Sequence, residues 1–308
     1  MAVRTHASGI SRGTERLVLL GQIPTSEMDR MKAPFQAGDF PFPVKYGYAC
    51  VGTVATAQGI LAGRRVFCLH PHQTSFVVPE HACHPVPDDV PSDRAVLAAN
   101  METALNALWD GKPSPADHIC VVGGGVVGLL IAYLCAKIPG TRVTVADTDP
   151  GRAKLAQAFG CCFALPESCP PSQDLVFHAS ASAQGLDTAL SAAGKEAAVV
   201  EVSWYGASTV PVALGGPFHS QRLKIVSSQV GTIPPDRRNR WSFDRRLSAA
   251  LSLLNDPVLD LLISDRMSFE DLPDQLPAFL TEPQGGLAAV VEYPEPSARL
   301  PHPLELDV

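Results

Sequence analysis

The chain has 308 residues, of which 46% are hydrophobic and 18% are charged, and its formal net charge is −7. This length and composition allow about two domains with buried cores and exclude an intrinsically disordered chain. The excess of acidic over basic residues argues against nucleic acid as a partner, because binding to phosphates requires a basic surface.

The cysteines and the start of the chain indicate a cytoplasmic protein. The eight cysteines show no CxxC spacing, and Cys161 and Cys162 are adjacent, which is typical of reduced thiols rather than of a disulfide framework. The first residues contain no apolar run like that of a secretory signal. Residues 119–136 carry no charge, but four glycines in their first ten positions indicate a strand that turns into a helix rather than a membrane span.

The first hundred residues predict short strands separated by turns. Runs of β-branched and aromatic residues predict strands at 3–10, 48–55, 65–69 and 76–79. Residues 21–43 are rich in Pro, Met and Phe and predict a long loop with a helical turn. Short strands with regular turns are typical of a compact β-barrel module.

From about residue 93 the pattern changes to alternating helices and strands. A helix is predicted over 94–109 and ends before Lys112-Pro113. Strands are then predicted at 118–122, 142–146, 175–178, 197–202 and 223–227, and helices at 126–137, 151–159, 186–193 and 243–254. This alternation predicts an α/β unit with a parallel sheet. Residues 263–280 predict an edge strand and a helix, 287–292 a closing strand, and 294–308 a loose, proline-rich tail.

The glycine motif Gly123-x-Gly125-x-x-Gly128 follows a predicted strand and opens a predicted helix. The first glycine permits a tight turn, the second lets the backbone approach a diphosphate, and the third lets the helix pack against the strand. The helix N terminus then favours the anion. We expect Val126 and Val127, which lie between the last two glycines, to complete this cofactor-binding segment.

Asp147 follows the next predicted strand, nineteen residues after Gly128. A carboxylate at this spacing accepts hydrogen bonds from ribose hydroxyls and repels the additional phosphate of NADP, so the two signals together predict NAD as the cofactor. NADP is the less favoured alternative, because Arg152 lies five residues further on. The other alternative is a glycine-rich turn in an unrelated α/β protein.

Several segments together resemble the medium-chain dehydrogenase/reductase superfamily. They are 7–15 (ASGISRGTE), 47–54 (GYACVGTV), 63–67 (GRRVF), Thr103-Ala104, the glycine motif with Asp147, and 174–180 (DLVFHAS). The string Gly-Ile-Ser-Arg-Gly-Thr-Glu is similar to the bacteriochlorophyllide hydroxyethyl dehydrogenase branch. The resemblance implies a GroES-like β-barrel domain over 1–103, a doubly wound Rossmann domain over 104–256 and a return segment over 257–293. It also implies a homodimer.

The resemblance identifies the positions of the superfamily's catalytic zinc ligands, and this chain lacks the usual residues there. Ser11 replaces a cysteine, Tyr48 replaces a histidine, and Ala99 and Asn100 stand at the third position. These side chains do not make a zinc site, which needs thiolate, imidazole or carboxylate ligands. The four-cysteine structural zinc lobe of larger relatives is also missing, and so is their first hairpin, so either the start is truncated or this branch lacks the hairpin. We therefore expect an enzyme without zinc.

A different metal site stays open as an alternative, because six residues of suitable type lie close in sequence: Cys68, His70, His72, His81, Cys83 and His84. The first three would share one face of a regular strand, but a proline interrupts it. Histidines at the rim of the cleft or in solvated loops are the favoured interpretation.

Without a metal, a hydrogen-bond donor must polarise the substrate and a proton must follow the hydride. Tyr48 is the first candidate, and Lys45 would lower the pKa of its phenol if the two side chains meet. Tyr46 would face away from Tyr48 on a strand. The alternative is that Tyr48 only fills space in a sheet. Thr14 resembles the hydroxyl of the proton relay in the zinc enzymes.

The resemblance also implies further cofactor contacts at Thr103, near the nicotinamide, at Ser180, and at Arg12, whose guanidinium suits a pyrophosphate. The alternative for Arg12 is a surface arginine. Glu102 is either a base or a helix-dipole partner. The arginines at 237, 238, 240, 245 and 246 either hold an anion near the cofactor or form a solvated basic face.

These observations predict an NAD(H)-dependent oxidoreductase of the alcohol dehydrogenase type. It would transfer a hydride between nicotinamide and a small carbonyl, alcohol, quinone or enone substrate, in a cleft between the two domains. The lack of zinc favours conjugated substrates, because they delocalise their own developing charge. The alternative is a non-catalytic redox sensor or scaffold that binds a dinucleotide.

Overall fold

The computed structural model describes residues 1–282 and 286–294. The predicted loose tail lies outside the described residues, apart from Pro294. In the described part of the chain, fifteen strands form two large sheets and one short hairpin.

The N-terminal part of the chain supplies most of the first large sheet. Its strands are β1 (Ala2–Ile10), β2 (Ala37–Gly38), β3 (Val44–Lys45), β4 (Cys50–Val54), β5 (Arg65–Cys68), β6 (Ser75–Val77) and β7 (His84–Pro85). Strands β2 and β3 form the hairpin, and the other five belong to the sheet. Apolar side chains of these strands, among them Val3, Val54 and Val66, share a buried cluster. Helix α1 (Arg12–Leu19), which directly follows β1, is an element that the sequence patterns did not predict.

The second large sheet is parallel throughout. Its strands are β8 (His118–Val122), β9 (Arg142–Ala146), β10 (Cys162–Ala164), β11 (Gln173–His178), β12 (Ala193–Glu201) and β13 (Lys224–Ser227). They lie in the order β10-β9-β8-β11-β12-β13, which is the strand order of a dinucleotide-binding sheet, with its switch point between β8 and β11.

Helices cover both faces of this sheet. Those that precede, connect or follow its strands are α2 (Ser92–Ala95), α3 (Ala98–Gly111), α4 (Val126–Ala136), α5 (Arg152–Ala158), α6 (Ala183–Ala192) and α7 (Phe243–Ser252). In β8, Ile119 and Val121 pack in the cluster that contains residues of α3, α4 and α7, whereas Cys120 and Val122 pack in the cluster of α6. Burial on both faces explains why the strand sequences are apolar runs rather than alternating patterns.

The chain then returns to the first sheet through β14 (Ile263–Ser268), α8 (Leu272–Thr281) and β15 (Ala288–Glu292). Strand β15 pairs antiparallel with β1 and parallel with β14. The predicted α/β fold class, a β-module combined with a doubly wound parallel sheet, is confirmed. The uncharged stretch 119–136 divides between β8 and α4, and none of the helices that the structure describes is long and apolar enough to cross a membrane.

Candidate active site

The junction between β1 and α1 directs polar groups into the protein. Ser11 is the N-cap residue of α1, but its side chain makes no capping hydrogen bond. Instead, its backbone N–H donates to Oε1 of Glu15, one turn further on, at 2.7 Å. Glu15 is only 5% exposed. The start of α1 therefore holds a carboxylate inside the first domain, where a charge requires partners.

Those partners form a continuous line that we call the His72 chain: Glu15, His72, Ser8 and Tyr293. Oε2 of Glu15 lies 3.2 Å from Nε2 of His72, Nδ1 of His72 lies 2.7 Å from Oγ of Ser8, and that Oγ lies 2.8 Å from Oη of Tyr293. Gly47 makes room for the ring, since it adopts a φ of 116° and an added Cβ would lie 2.8 Å from Cδ2 of His72.

Tyr48 lies beside the start of α1 in a group that we call the Tyr48 cluster: Tyr48, Ser11, Thr14 and Asn100. Hydrogen bonds join Tyr48 to Ser11 and Thr14, and Nδ2 of Asn100 donates to Oγ of Ser11 at 3.3 Å. Burial raises the pKa of Tyr48 to about 12, the charge of Glu15 adds to the rise, and the hydrogen bonds oppose it. At neutral pH the phenol is therefore protonated and can donate a hydrogen bond.

Two expectations about the neighbours of Tyr48 are wrong. The ammonium group of Lys45, at the exposed end of β3, donates to Oε1 of Gln73 at 2.7 Å, and the pKa of Tyr48 is raised rather than lowered. Tyr46 does not face away from Tyr48, because residues 46–49 are not in a strand. The two rings are in edge-to-face contact, with centroids 5.9 Å apart.

The Tyr48 cluster does not fit a zinc ion. It offers hydroxyls and a carboxamide instead of thiolate, imidazole or carboxylate ligands, and Asn100 and Ser11 already bond to each other. In residues 1–282 and 286–294, no three His, Cys, Asp or Glu side chains are grouped so that they could hold a metal. The alternative site at 68–84 is not formed there either: the ring of His70 stacks on Phe76, with centroids 3.8 Å apart, whereas His72 belongs to the His72 chain.

The glycine motif lies at the switch point of the parallel sheet. Gly123 has a φ of 107°, and an added Cβ would lie 2.7 Å from the backbone nitrogen of Ser180, so this position requires glycine. At Gly125, where α4 begins, an added Cβ would meet no protein atom within 4 Å. Val126 and Val127 form the first turn of α4 and are half-buried. The loop thus leaves open space at a helix N terminus, and this arrangement fits a diphosphate.

Asp147 lies next to this loop, directly after β9. Its Oδ2 accepts a hydrogen bond from the backbone N–H of Gly124 at 2.5 Å, and its Oδ1 accepts one from Asp149 N–H at 2.8 Å. Each carboxylate oxygen retains a lone pair that could accept from a ribose hydroxyl. Arg152 lies beside the loop as well, and its Nε is 3.2 Å from Oδ2 of Asp149.

The side chains of the other predicted cofactor residues have partners within the protein. The Ser180 hydroxyl lies 2.7 Å from Nε2 of His178, and that of Thr103 donates to the Ala99 carbonyl in α3 at 3.0 Å. The guanidinium of Arg12 donates to the carbonyls of Phe279 and Glu282 at the end of α8. Because α1 packs against α8, Arg12 joins these two helices.

A polar network, of which the sequence analysis named only Ser180, fixes the carboxyl ends of β11 and β12. This His178 network comprises His178, Ser180, Glu201, Ser203 and Tyr205. Nδ1 of the fully buried His178 lies 2.8 Å from Oε2 of Glu201, and Tyr205 donates to the same oxygen at 3.1 Å. Burial alone would raise the pKa of Glu201, but hydrogen bonds from His178 and Ser203 outweigh it and lower that pKa.

Glu102 and the arginine cluster have structural roles that differ from those considered. Glu102 pairs with the buried Arg246 at 3.0 Å and thereby joins α3 to α7. Arg237 lies over the indole ring of Trp109, 5.5 Å from its centroid. Arg246 is therefore not part of a solvated face, and Glu102 is neither a free base nor only a dipole partner.

Comparisons with known proteins agree with this geometry. No family model matches the chain. The chain is 22% identical to D-guloside 3-dehydrogenase of Escherichia coli over 218 residues, which are 67% of this chain and 60% of that protein. It is also 22% identical to D-xylulose reductase A of Aspergillus oryzae over 207 residues, 64% of this chain and 56% of that protein. The chain therefore spans no more than about 60% of the length of these curated relatives.

Solved structures cover nearly the whole chain. A dehydrogenase from Sinorhizobium meliloti that is described as zinc-binding and is bound to NADP superposes with a TM-score of 0.74 at 17% identity, covering 95% of this chain and 91% of that one. Galactitol-1-phosphate dehydrogenase from Escherichia coli gives a TM-score of 0.72 at 17% identity, covering 94% of this chain and 92% of that one. A protein from Escherichia coli that is described as a short chain alcohol dehydrogenase in complex with NADH gives a TM-score of 0.73 at 17% identity, covering 94% of this chain and 91% of that one. The two sheets thus have the fold of the medium-chain dehydrogenases and reductases.

Proposed function

We propose that the protein is an oxidoreductase that uses NAD(H) and reduces a conjugated or simple carbonyl without zinc. The observation that carries this proposal is that the chain has both a glycine loop with Asp147 beside it and a half-buried, protonated phenol at Tyr48. The proposal draws support from relatives that are named dehydrogenases and reductases and from neighbours that bind NADP or NADH.

The glycine loop and Asp147 are the residues that would hold the cofactor. The backbone N–H groups at the start of α4 face the open space at Gly125 and would bind the diphosphate. Asp147 would accept from the adenosine ribose and repel a 2′-phosphate, which is why we propose NAD(H) rather than NADP(H). Arg152 would be the residue to favour NADP(H), but its guanidinium is paired with Asp149.

The nicotinamide, when bound, supplies the hydride, and the chain supplies the proton. Tyr48 donates a hydrogen bond to the substrate oxygen and stabilises the negative charge that develops there. A phenol with a pKa of about 12 stays protonated at neutral pH, which is the state that reduction of a carbonyl requires of its proton donor. Ser11 and Thr14, which are bonded to Tyr48, are the groups through which its proton is replaced.

The chain's own residues favour a site without zinc, because the Tyr48 cluster lacks suitable ligands. Metal analysis of the purified protein tests this directly. We expect substoichiometric zinc and an activity that survives chelation, and one zinc per chain would contradict this part of the proposal.

We further propose a homodimer that forms through β13. This strand is the edge of the parallel sheet, and its residue Ile225 is 39% exposed, so a second β13 could pair with it. We also propose a cytoplasmic location, because the eight cysteines are all free. The segment 9–15, which supplies Ser11, Thr14 and Glu15, supports grouping with the bacteriochlorophyllide hydroxyethyl dehydrogenase branch.

Titration of NADH and NADPH, followed by nicotinamide fluorescence, tests the cofactor assignment. Consumption of NADH with quinones, enones, aldehydes and ketones then tests the reaction. Binding of NADH together with turnover of one of these classes supports the proposal. Failure to bind either nucleotide contradicts it, and tight binding without turnover would favour the sensor or scaffold.

A further inference from the structure

Two cysteines outside the candidate active site have their sulfur atoms in contact. Sγ of Cys120, on β8, lies 3.2 Å from Sγ of Cys169. Cys169 follows the short 3₁₀ turn Pro166–Ser168 in the connection between β10 and β11. Cys120 is fully buried in the cluster between β8 and α6, whereas Cys169 is only partly buried. One thiol of the pair is thus accessible and the other is protected.

The accessible thiol opens on a depression of about 330 Å³ in the protein surface. Cys169 lines this depression together with Glu167, Asp187 and Thr188. The carboxylates of Glu167 and Asp187 in this lining disfavour anionic reagents and leave the site open to small neutral molecules.

From this geometry we propose that Cys120 and Cys169 are an oxidisable dithiol, which a hydroperoxide converts into an intramolecular disulfide. The Cys169 thiolate attacks the outer peroxide oxygen, the O–O bond breaks, and the departing hydroxide or alkoxide takes up a proton. The resulting sulfenic acid is then attacked by the Cys120 sulfur, so that the S–S bond forms, the S–O bond breaks and water leaves. Two thiols are oxidised by two electrons, and one peroxide is reduced.

The division of roles follows from the surroundings of each sulfur. The hydrogen bond with Cys120 lowers the pKa of Cys169, whereas the same contact and burial raise the pKa of Cys120. Cys169 is therefore the attacking thiolate, and Cys120 is the resolving thiol.

Another pair of cysteines provides an internal control. Cys68 and Cys83 are both buried, and their sulfur atoms are 4.0 Å apart. Without an accessible member, this pair should stay reduced under the same treatment. Cys162 is exposed, and its oxidation under the same treatment therefore measures how reactive an ordinary surface thiol of this protein is.

The test is to treat the full chain with hydrogen peroxide, alkylate the remaining thiols, and map the peptides by mass spectrometry without reduction. We expect a peptide that links Cys120 to Cys169, lighter by two hydrogens, that disappears after reduction with dithiothreitol. The number of thiols that can be titrated in denaturant should fall from eight to six. The linked peptide should be absent in Cys169→Ala and unchanged in Cys83→Ala.

The proposal is overturned if Cys169 proceeds to sulfinic acid without forming the link, or if both thiols of the pair stay reduced while Cys162 is oxidised. Circular dichroism of Cys169→Ala confirms that a missing link does not reflect a misfolded variant. The result is independent of catalysis, because it is read from peptide masses alone.

Discussion

Replacing Tyr48 with phenylalanine removes a single hydroxyl from the Tyr48 cluster and retains the ring. Ser11 and Thr14 lose a partner, but Asn100 continues to donate to Ser11. Each neutral hydrogen bond contributes about 1 kcal/mol of folding free energy, so the loss of both costs about 2 kcal/mol and the variant should remain folded. The loss of a donor to a developing oxyanion lowers kcat by roughly 10²- to 10³-fold. The catalytic effect should therefore greatly exceed the effect on stability.

The assay is steady-state reduction of a carbonyl substrate by NADH, with kcat and KM measured over pH. Tyr46→Phe is the matched control, because it makes the same chemical change in a ring that touches Tyr48. In the wild type, the donor is protonated below its pKa of about 12. Its contribution should therefore be constant through neutral pH and disappear only as the pH rises towards 12. This alkaline fall should be absent in Tyr48→Phe.

The reasoning is refuted if Tyr48→Phe, folded and still able to bind NADH, keeps the wild-type kcat. It is equally refuted if Tyr46→Phe lowers kcat to the same extent, since the effect would then come from ring packing. An ionisation near neutral pH that vanishes in Tyr48→Phe would show that the phenol acts as a base, contrary to the burial that raises its pKa.

The remaining predictions concern the cofactor and the core. Asp147→Ser should weaken NADH binding by about 10-fold or more, because charge-assisted hydrogen bonds contribute about 1.5–3 kcal/mol. Measuring the dissociation constants of NADH and NADPH, and their ratio, tests this loss. Gly125→Ala should unfold at the wild-type temperature but lose NADH binding. Gly123→Ala should lose stability as well as NADH binding, because only at Gly123 would an added Cβ lie against the backbone. Arg246→Met leaves Glu102 buried without its partner and should cost about 3–5 kcal/mol in urea unfolding.

The parallel sheet could be predicted from the sequence because each strand there is buried on both faces. The predicted strands at 118–122 and 142–146 coincide with His118–Val122 and Arg142–Ala146, where apolar runs end abruptly at polar or glycine residues. Helix α1 was missed because Gly13 and several polar residues fill its first turns. Of its three buried residues, only Leu17 and Val18 are apolar, whereas the third, Glu15, is a carboxylate. Strand β10 was missed because three residues carry no periodicity.

The cofactor half of the site could be predicted and the substrate half only in part. The glycine motif and Asp147 belong to one βαβ unit, so their spacing in sequence reflects their spacing in space. The His72 chain instead joins residues as far apart as Ser8 and Tyr293, 285 positions along the chain. Sequence proximity placed His72 with possible metal ligands, whereas the pairing of β6 with β1 brings it to Ser8 and the pairing of β1 with β15 brings Tyr293 there.

If Tyr48 is the proton donor, packing must hold its side chain in position, because the described residues form no metal site that could do so. The segment that follows β12 contributes to this, because it crosses from the parallel sheet to the first domain. Trp204 packs on the apolar cluster that also supports Tyr46, and Ala207 N–H donates to the carbonyl of Gln22 at 2.9 Å. The His178 network anchors the start of the same segment through Tyr205. One short segment after β12 thus connects the edge of the sheet that would bind nicotinamide with the ring of Tyr46, which contacts Tyr48. This connection would fix the position of Tyr48 relative to the cofactor.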